Sequence, residues 1–229
     1  MSPSTRTGWI TNPQGVRYPP EPWHLGGVLH ASVWRVPVTE LPATFPPGVR
    51  PSLWSGRATL VTAWVIYEPG SVLDYHELMA VVRVRLKGRA LNTVTHIWVD
   101  NVSSLTGGRE LWGIPKELAT FRSDGGSGFE ASAEANGHRI ASLRFSPRLT
   151  LPGWWRFSMP TAQQLAGSVR VAEVQSLSRL QFGRADWDFA PAGPLGFLAG
   201  RRPLINARLS KMTVGFGICP GARTRGIKR

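Results

Sequence analysis

Leu78-Met79-Ala80-Val81-Val82-Arg83-Val84-Arg85-Leu86-Lys87 is the stretch whose reading decides the fold class. Leu78, Ala80, Val82, Val84 and Leu86 fall on one side of a period-two pattern, with Arg83, Arg85 and Lys87 on the other. That is the spacing of a strand with one face in a core. Just upstream, Glu68-Pro69-Gly70-Ser71 is turn chemistry. Before it, residues 57–67 form a β-rich apolar run with little alternation, as expected of a strand buried on both faces. The pair predicts a hairpin. Strict alternation has one consequence: Glu77 falls on the same side as Arg83. It reaches an interior only through a bulge that shifts parity, or where a lumen opens at that level.

Working outward, residues 27–38 read as the first strand, with Val28, His30, Ser32 and Trp34 against Leu29, Ala31, Val33 and Arg35. Residues 93–99 form another, ended by Asp100-Asn101. Segments 128–135 and 138–145 flank Asn136-Gly137, the strongest two-residue hairpin signal in the chain. Residues 172–182 and 204–217 add two more strands. Between these, 42–51, 151–164 and 186–203 are rich in Pro and Gly and read as irregular, the second with Trp154-Trp155 as aromatic anchors. A single short helix is expected after Ser103 or Ser104 as cap, weakened by Gly107-Gly108 and stopped by Gly113 and Pro115. The sum is a mainly β (β-rich α+β) chain of about eight to ten strands, closed or nearly closed and antiparallel, with few short helices.

The 229 residues fit one domain, at 23–218, preceded by a Pro-broken arm at 1–22 and followed by a basic tail at 219–229. The arm is expected to lie over the surface or a neighbouring subunit, hence a homo-oligomer. Cys219 is the sole cysteine, so an intramolecular disulfide is excluded and a reducing compartment fits. No apolar run approaches the roughly 20 residues of a membrane span, and the N-terminus lacks a signal-peptide core. A cytoplasmic protein with no membrane partner is the expectation. The net charge of +13 comes from 23 arginines and 4 lysines against 14 acids. Outside the cluster at 221–229 the arginines are scattered, and no recognition helix, zinc finger or ribonucleoprotein pattern is present, so no nucleic-acid partner is expected.

With so few lysines, Lys116 stands out: it ends Gly107-Gly108-Arg109-Glu110-Leu111-Trp112-Gly113-Ile114-Pro115-Lys116, a mostly apolar run. Burial disfavours an ammonium, and a neutral lysine amine attacks ketones and aldehydes. The alternative reading of these residues alone is an exposed lysine after a Pro turn.

This stretch, preceded by Thr95-His96-Ile97-Trp98-Val99-Asp100-Asn101, closely resembles the signature of the acetoacetate decarboxylase-like superfamily. The similarity is strong over 60–120 and diffuse from there to about 218. The resemblance implies a cone-like β barrel with a central cavity and a Schiff base at the lysine after the proline, Lys116. It also implies an active-site glutamate at Glu77, within Asp74-Tyr75-His76-Glu77, and no cofactor. (Acetoacetate decarboxylase is itself the standard example of a lysine activated in this way.) The implied substrate is a small carbonyl compound or keto acid. An iminium is an electron sink that serves decarboxylation, aldol cleavage and dehydration alike.

Three departures argue against acetoacetate itself. Glu117 stands where decarboxylases of the family carry a second lysine. Gly26-Gly27 stand near the family's carboxylate-binding arginine, and residues 62–64 lack a glutamate found there. Arg109 or Glu110 is expected to brace the loop rather than do chemistry. Trp112, Ile114, Trp64 and His96 are the other candidate cavity residues, with His76 beside them. A strand histidine is more often a satisfied hydrogen-bonding group. The five histidines lack metal-ligand spacing, so no metal is expected. The rival readings are a cyclase working without a covalent step and a β-barrel protein that binds an apolar small molecule.

Overall fold

The computed structural model describes residues 8–41, 44–124 and 128–218. The expected basic tail with Cys219, and the start of the arm, lie outside them. Two-residue strands β1 (Ile10–Thr11) and β2 (Arg17–Tyr18) precede β3 (Trp23–Pro37), and β4 (Val49–Pro51) and β5 (Leu53–Trp54) are short edge pieces. A meander of β6 (Arg57–Tyr67), β7 (Tyr75–Leu86) and β8 (Arg89–Val99) leads into α1 (Val102–Trp112). There follow β9 (Lys116–Leu118), β10 (Thr120–Asp124), β11 (Phe129–Ala135), β12 (His138–Thr150) and β13 (Trp155–Ser158). The chain ends with β14 (Thr161–Leu165), β15 (Ser168–Ala172), β16 (Val174–Phe189) and β17 (Ile205–Phe216).

The main sheet runs β10-β11-β12-β16-β17-β3-β6-β7-β8-β14-β15. It is mainly β, as the alternation implies, but it does not close into a barrel: among the described residues, β10 and β15 remain edges. Beyond β8 the path continues only through a single parallel bridge, Thr161↔Asn92. Side chains and α1, rather than a last ladder, complete the enclosure.

Because the sheet curls and then doubles back, its middle strands are covered twice. One core, with Trp34, Leu60, Trp64, Leu78 and Phe145, lies where β10–β12 fold over the back of β3, β6 and β7. A second, with Leu25, Val65, Met79, Ile97 and Trp112, lies on the other face under α1. This is why 57–67 reads as continuously apolar.

The same geometry answers the parity question at Glu77. β7 keeps strict alternation: Tyr75, Glu77, Met79 and Val81 face the second core, while Arg83 and Arg85 continue that face into solvent. The lumen opens at the level of Glu77. The bulge sits in the neighbouring strand, where Thr95 has no partner between Ala80↔His96 and Val81↔Val94.

Several boundaries differ from the sequence expectation. The 151–164 segment carries β13 and the start of β14, and its Trp154 and Trp155 are exposed rather than anchoring. A tight turn at Ala166-Gly167, both at positive φ, joins β14 to β15. Alanine is a poor marker of such a turn, so the pattern hides it. The Asn136-Gly137 turn forms as expected, with φ of 52° and 75°. The arm is not wholly irregular: Asn12 folds it back by accepting from the backbone N–H of Gln14 and Val16. Its Tyr18 is buried against α1.

Candidate active site

Local chemistry first builds the helix. The cap is Asn101, not Ser103 or Ser104: its side chain accepts from Ser104 N–H at 2.9 Å. Gly113 ends α1 in the left-handed conformation, with φ 68°. The glycines that weaken the helix on propensity are needed for contact. A Cβ on Gly107 would sit 2.5 Å from the Trp23 ring, and one on Gly108 would sit 2.7 Å from Cδ of Lys116. The bend at Ile114-Pro115 then sends Lys116 into β9, parallel to β8 in the register Ile97↔Lys116. Arg109 fixes this connection by donating from Nε to the Lys116 carbonyl at 2.7 Å.

Lys116 is 3% exposed and Glu77 4%. The Lys116 ammonium donates to Glu77 Oε2 at 2.8 Å, Ser104 Oγ at 2.9 Å and Tyr75 Oη at 3.3 Å. It also lies 5.0 Å from the Tyr75 ring centre. Three hydrogens therefore meet three acceptors, the full satisfaction that a buried ammonium requires. The Tyr75 phenol is held well above the usual range by burial first and then by the Glu77 charge. Tyr67, whose ring lies 4.7 Å from that of Tyr75, is raised for the same reasons. Both remain O–H groups at neutral pH.

This cluster forms one end of a chamber of about 330 Å³, whose remaining walls are almost wholly apolar. Trp112 and Ile114 line it, as do Trp23, Leu29, Met79 and Phe157. Trp112 is held by its Nε1 donating to Glu21 at 2.9 Å and by Trp23 and Phe216 against its ring.

Other candidates lie elsewhere. Trp64 is fully buried on the opposite face of β6, among Phe121, Phe129 and Trp187. His96 lies near Trp98 and Phe197, with its pKa lowered by burial against the opposing pull of Glu117. His76 is bound to Asp100 at 2.7 Å. Glu110 is exposed on α1 near Tyr18, and of the Arg109–Glu110 pair it is Arg109 that braces the loop. Glu117 turns away from the chamber and accepts from Trp98 Nε1 at 3.1 Å.

Gly27 has φ 156°, and a Cβ there would meet the Ile66 carbonyl oxygen at 2.0 Å, so no side chain can enter the chamber at that position. Ser104 and Tyr75 are the residues that sequence reasoning missed as site groups. Tyr75 had a signal, since it lies two residues before Glu77 on one strand face. Ser104 had none, because its role depends on where the helix docks.

A mainly antiparallel β scaffold with a buried lysine–carboxylate pair at the end of an apolar chamber is the class these observations define. The model of the acetoacetate decarboxylase family matches residues 5–153, and the chain belongs to that family. Acetoacetate decarboxylase 1 of Bradyrhizobium diazoefficiens is 44% identical over 46 residues, 20% of this chain and 18% of that protein. The chain thus aligns with less than a fifth of that curated relative's length. Among solved structures, the enduracididine biosynthesis enzyme MppR complexed with pyruvate is similar at a TM-score of 0.65 and 20% identity. That likeness covers 92% of this chain and 95% of MppR. The acetoacetate decarboxylase of Legionella pneumophila gives 0.64 at 16% identity, over 90% and 89%. These structural likenesses are of fold.

Proposed function

We propose that the protein is a cofactor-independent enzyme in which Lys116 condenses with a carbonyl substrate and the resulting iminium serves as electron sink. The observation that carries this reading is the buried Lys116–Glu77 pair in the wall of an apolar chamber. Moving one proton 2.8 Å from Nζ to Glu77 turns a buried ion pair into a neutral amine and a neutral acid. The free lone pair then attacks the carbonyl carbon and Glu77 returns its proton to the oxygen; a second proton, passed from Nζ of the carbinolamine through Glu77, lets that oxygen leave as water. A C–C or α-C–H bond next breaks with its electrons flowing into the C=N⁺ group. After C–C cleavage the enamine takes a proton at carbon, and after C–H cleavage it expels a β-hydroxyl that leaves as water with a proton from Glu77; hydrolysis of the iminium then releases the product. Tyr75, kept protonated, and Ser104 stand at hydrogen-bond distance to orient Nζ and to hold the departing oxygen. The walls exclude bulk water from these steps. The reaction is thus lyase-like, of decarboxylase or aldolase/dehydratase type.

The same three hydrogen bonds on Nζ also suit a purely structural pair in a binding protein or a non-covalent cyclase, and one experiment separates the readings. Borohydride treatment with a panel of ketones, aldehydes and keto acids, followed by intact mass and peptide mapping, is expected to give an adduct at Lys116 and not at Lys87 or Lys211. Lys116→Arg keeps a cation that stays protonated and is expected to abolish both adduct and turnover. Glu77→Gln is expected to slow turnover by roughly 10²–10⁴-fold, the usual share of a positioned acid–base group. Full turnover by folded Lys116→Arg would remove the covalent mechanism.

A further inference from the structure

We infer that the substrate of this chamber is an uncharged, largely apolar aldehyde or ketone rather than a keto acid, an inference that rests on the Schiff-base reading above and narrows it to the aldolase/dehydratase type. The chamber's charge inventory carries it. Lys116 and Glu77 are the charged side chains lining it, and they are already bonded to each other at 2.8 Å. Tyr67, Tyr75, Thr161 and Ser176 are the remaining polar lining side chains. Elsewhere the walls are groups such as Ala31, Val61, Ala63, Val81 and Val94.

Condensation balances without any new charge when the substrate is neutral. The ammonium and the carbonyl give an iminium and water, and the single positive charge stays on Nζ. That charge remains paired with Glu77. A substrate carboxylate adds a second negative charge and finds no second cation. It balances only if Glu77 takes up a proton on binding, which removes the base. The walls otherwise offer it neutral hydroxyls, that of Thr161 without a partner among the described residues, and no cation. Gly27 admits no side chain, and the Ser104 N–H in the first turn of α1 is taken by Asn101. A buried carboxylate without a charged partner is strongly disfavoured, whereas an apolar chamber of about 330 Å³ suits a small ring or a medium aliphatic chain. The aromatic cluster of Trp23, Trp112 and Phe216, with Phe182 also in the lining, favours a flat one.

Two readouts on the full-length protein at pH 8 separate this inference from the mechanism beneath it. The probes are 4-phenylbutan-2-one and 2-oxo-4-phenylbutanoate, which share a skeleton and differ by a carboxylate in place of a methyl group; 2-nonanone is the aliphatic control. Equilibrium dialysis measures binding, and borohydride trapping with peptide mapping measures reaction at Lys116. The expected result is at least tenfold tighter binding of the phenyl ketone than of the keto acid, with the trapped adduct on Lys116. Selective binding of the ketone without an adduct keeps the substrate class and removes the Schiff base. Equal or tighter binding of the keto acid overturns the inference even if it is trapped, and so does failure of both ketones to bind.

Discussion

At the scale of single residues, the site is set by how close the helix comes to the lysine. Gly108 of α1 leaves no room for a methyl group: the stem of Lys116 occupies that space. Gly108→Ala therefore opposes two effects. Alanine improves the helix interior by roughly 0.8–1 kcal/mol over glycine, while its Cβ pushes a long, movable side chain off its three partners. The midpoint of thermal unfolding is expected to change by only a few degrees, and the rate of borohydride-trapped adduct formation to fall at least about tenfold. An unchanged trapping rate would show that the position of Nζ tolerates the displacement. Lys116 and Glu77 were each legible through the motifs around them, but their contact was not. Ser104 was not, because a serine in the first turn of any helix reads as a cap.

At the scale of elements, β3 and β11 meet through a buried histidine that no site uses. The His30 ring stacks on Phe129 at 3.9 Å, and neither ring nitrogen has a partner among the described residues. Burial, with Arg208 as a second cause, lowers its pKa from 6.5 to about 3. The sign follows directly. Above about pH 6.5 the ring is neutral in folded and unfolded chains alike, and its contribution is fully present. Between there and about pH 3 the unfolded chain takes up a proton that the folded one refuses, so stability falls as pH falls, with a slope approaching about 1.4 kcal/mol per pH unit from this group. His30→Phe is expected to flatten the stability profile between pH 6 and 4 in denaturant titrations, with little change at pH 7.5. Equal slopes for both proteins would show that the ring finds a partner. Alternation placed His30 opposite Leu29 and Ala31 on β3, yet both faces of that strand are covered. Only the fold of β10–β12 over the back of the sheet buries it.

At the scale of the whole molecule, the charge of +13 is partly offset by local pairing. Arg139, Arg144, Arg170, Arg184 and Arg201 each pair with a nearby carboxylate at the surface. Exposed pairs of this kind add little stability, but each sets a carboxylate beside an arginine and so lowers the local positive charge. Fluorescence anisotropy with a DNA duplex is expected to detect weak binding at low salt that disappears near 0.15 M, where the Debye length is about 8 Å. Tight binding retained at that salt would reveal a basic surface built for nucleic acid. Among the described residues, no helix is long and apolar enough to cross a membrane.

The sequence by itself determined the strands with clean alternation, the Asn136-Gly137 hairpin, the single helix and the motif around Lys116, because each depends on neighbours a few residues apart. Tertiary structure alone decided which face of β7 opens on a chamber, that the sheet stays open, and that Trp64 and His96 look away from Lys116. It also brought Tyr75, Glu77, Ser104 and Lys116 together across 12 to 41 residues of chain. Period-two patterning says that two faces differ, but a doubly covered strand is apolar on both. Only the path of the rest of the chain tells a packed core from a cavity.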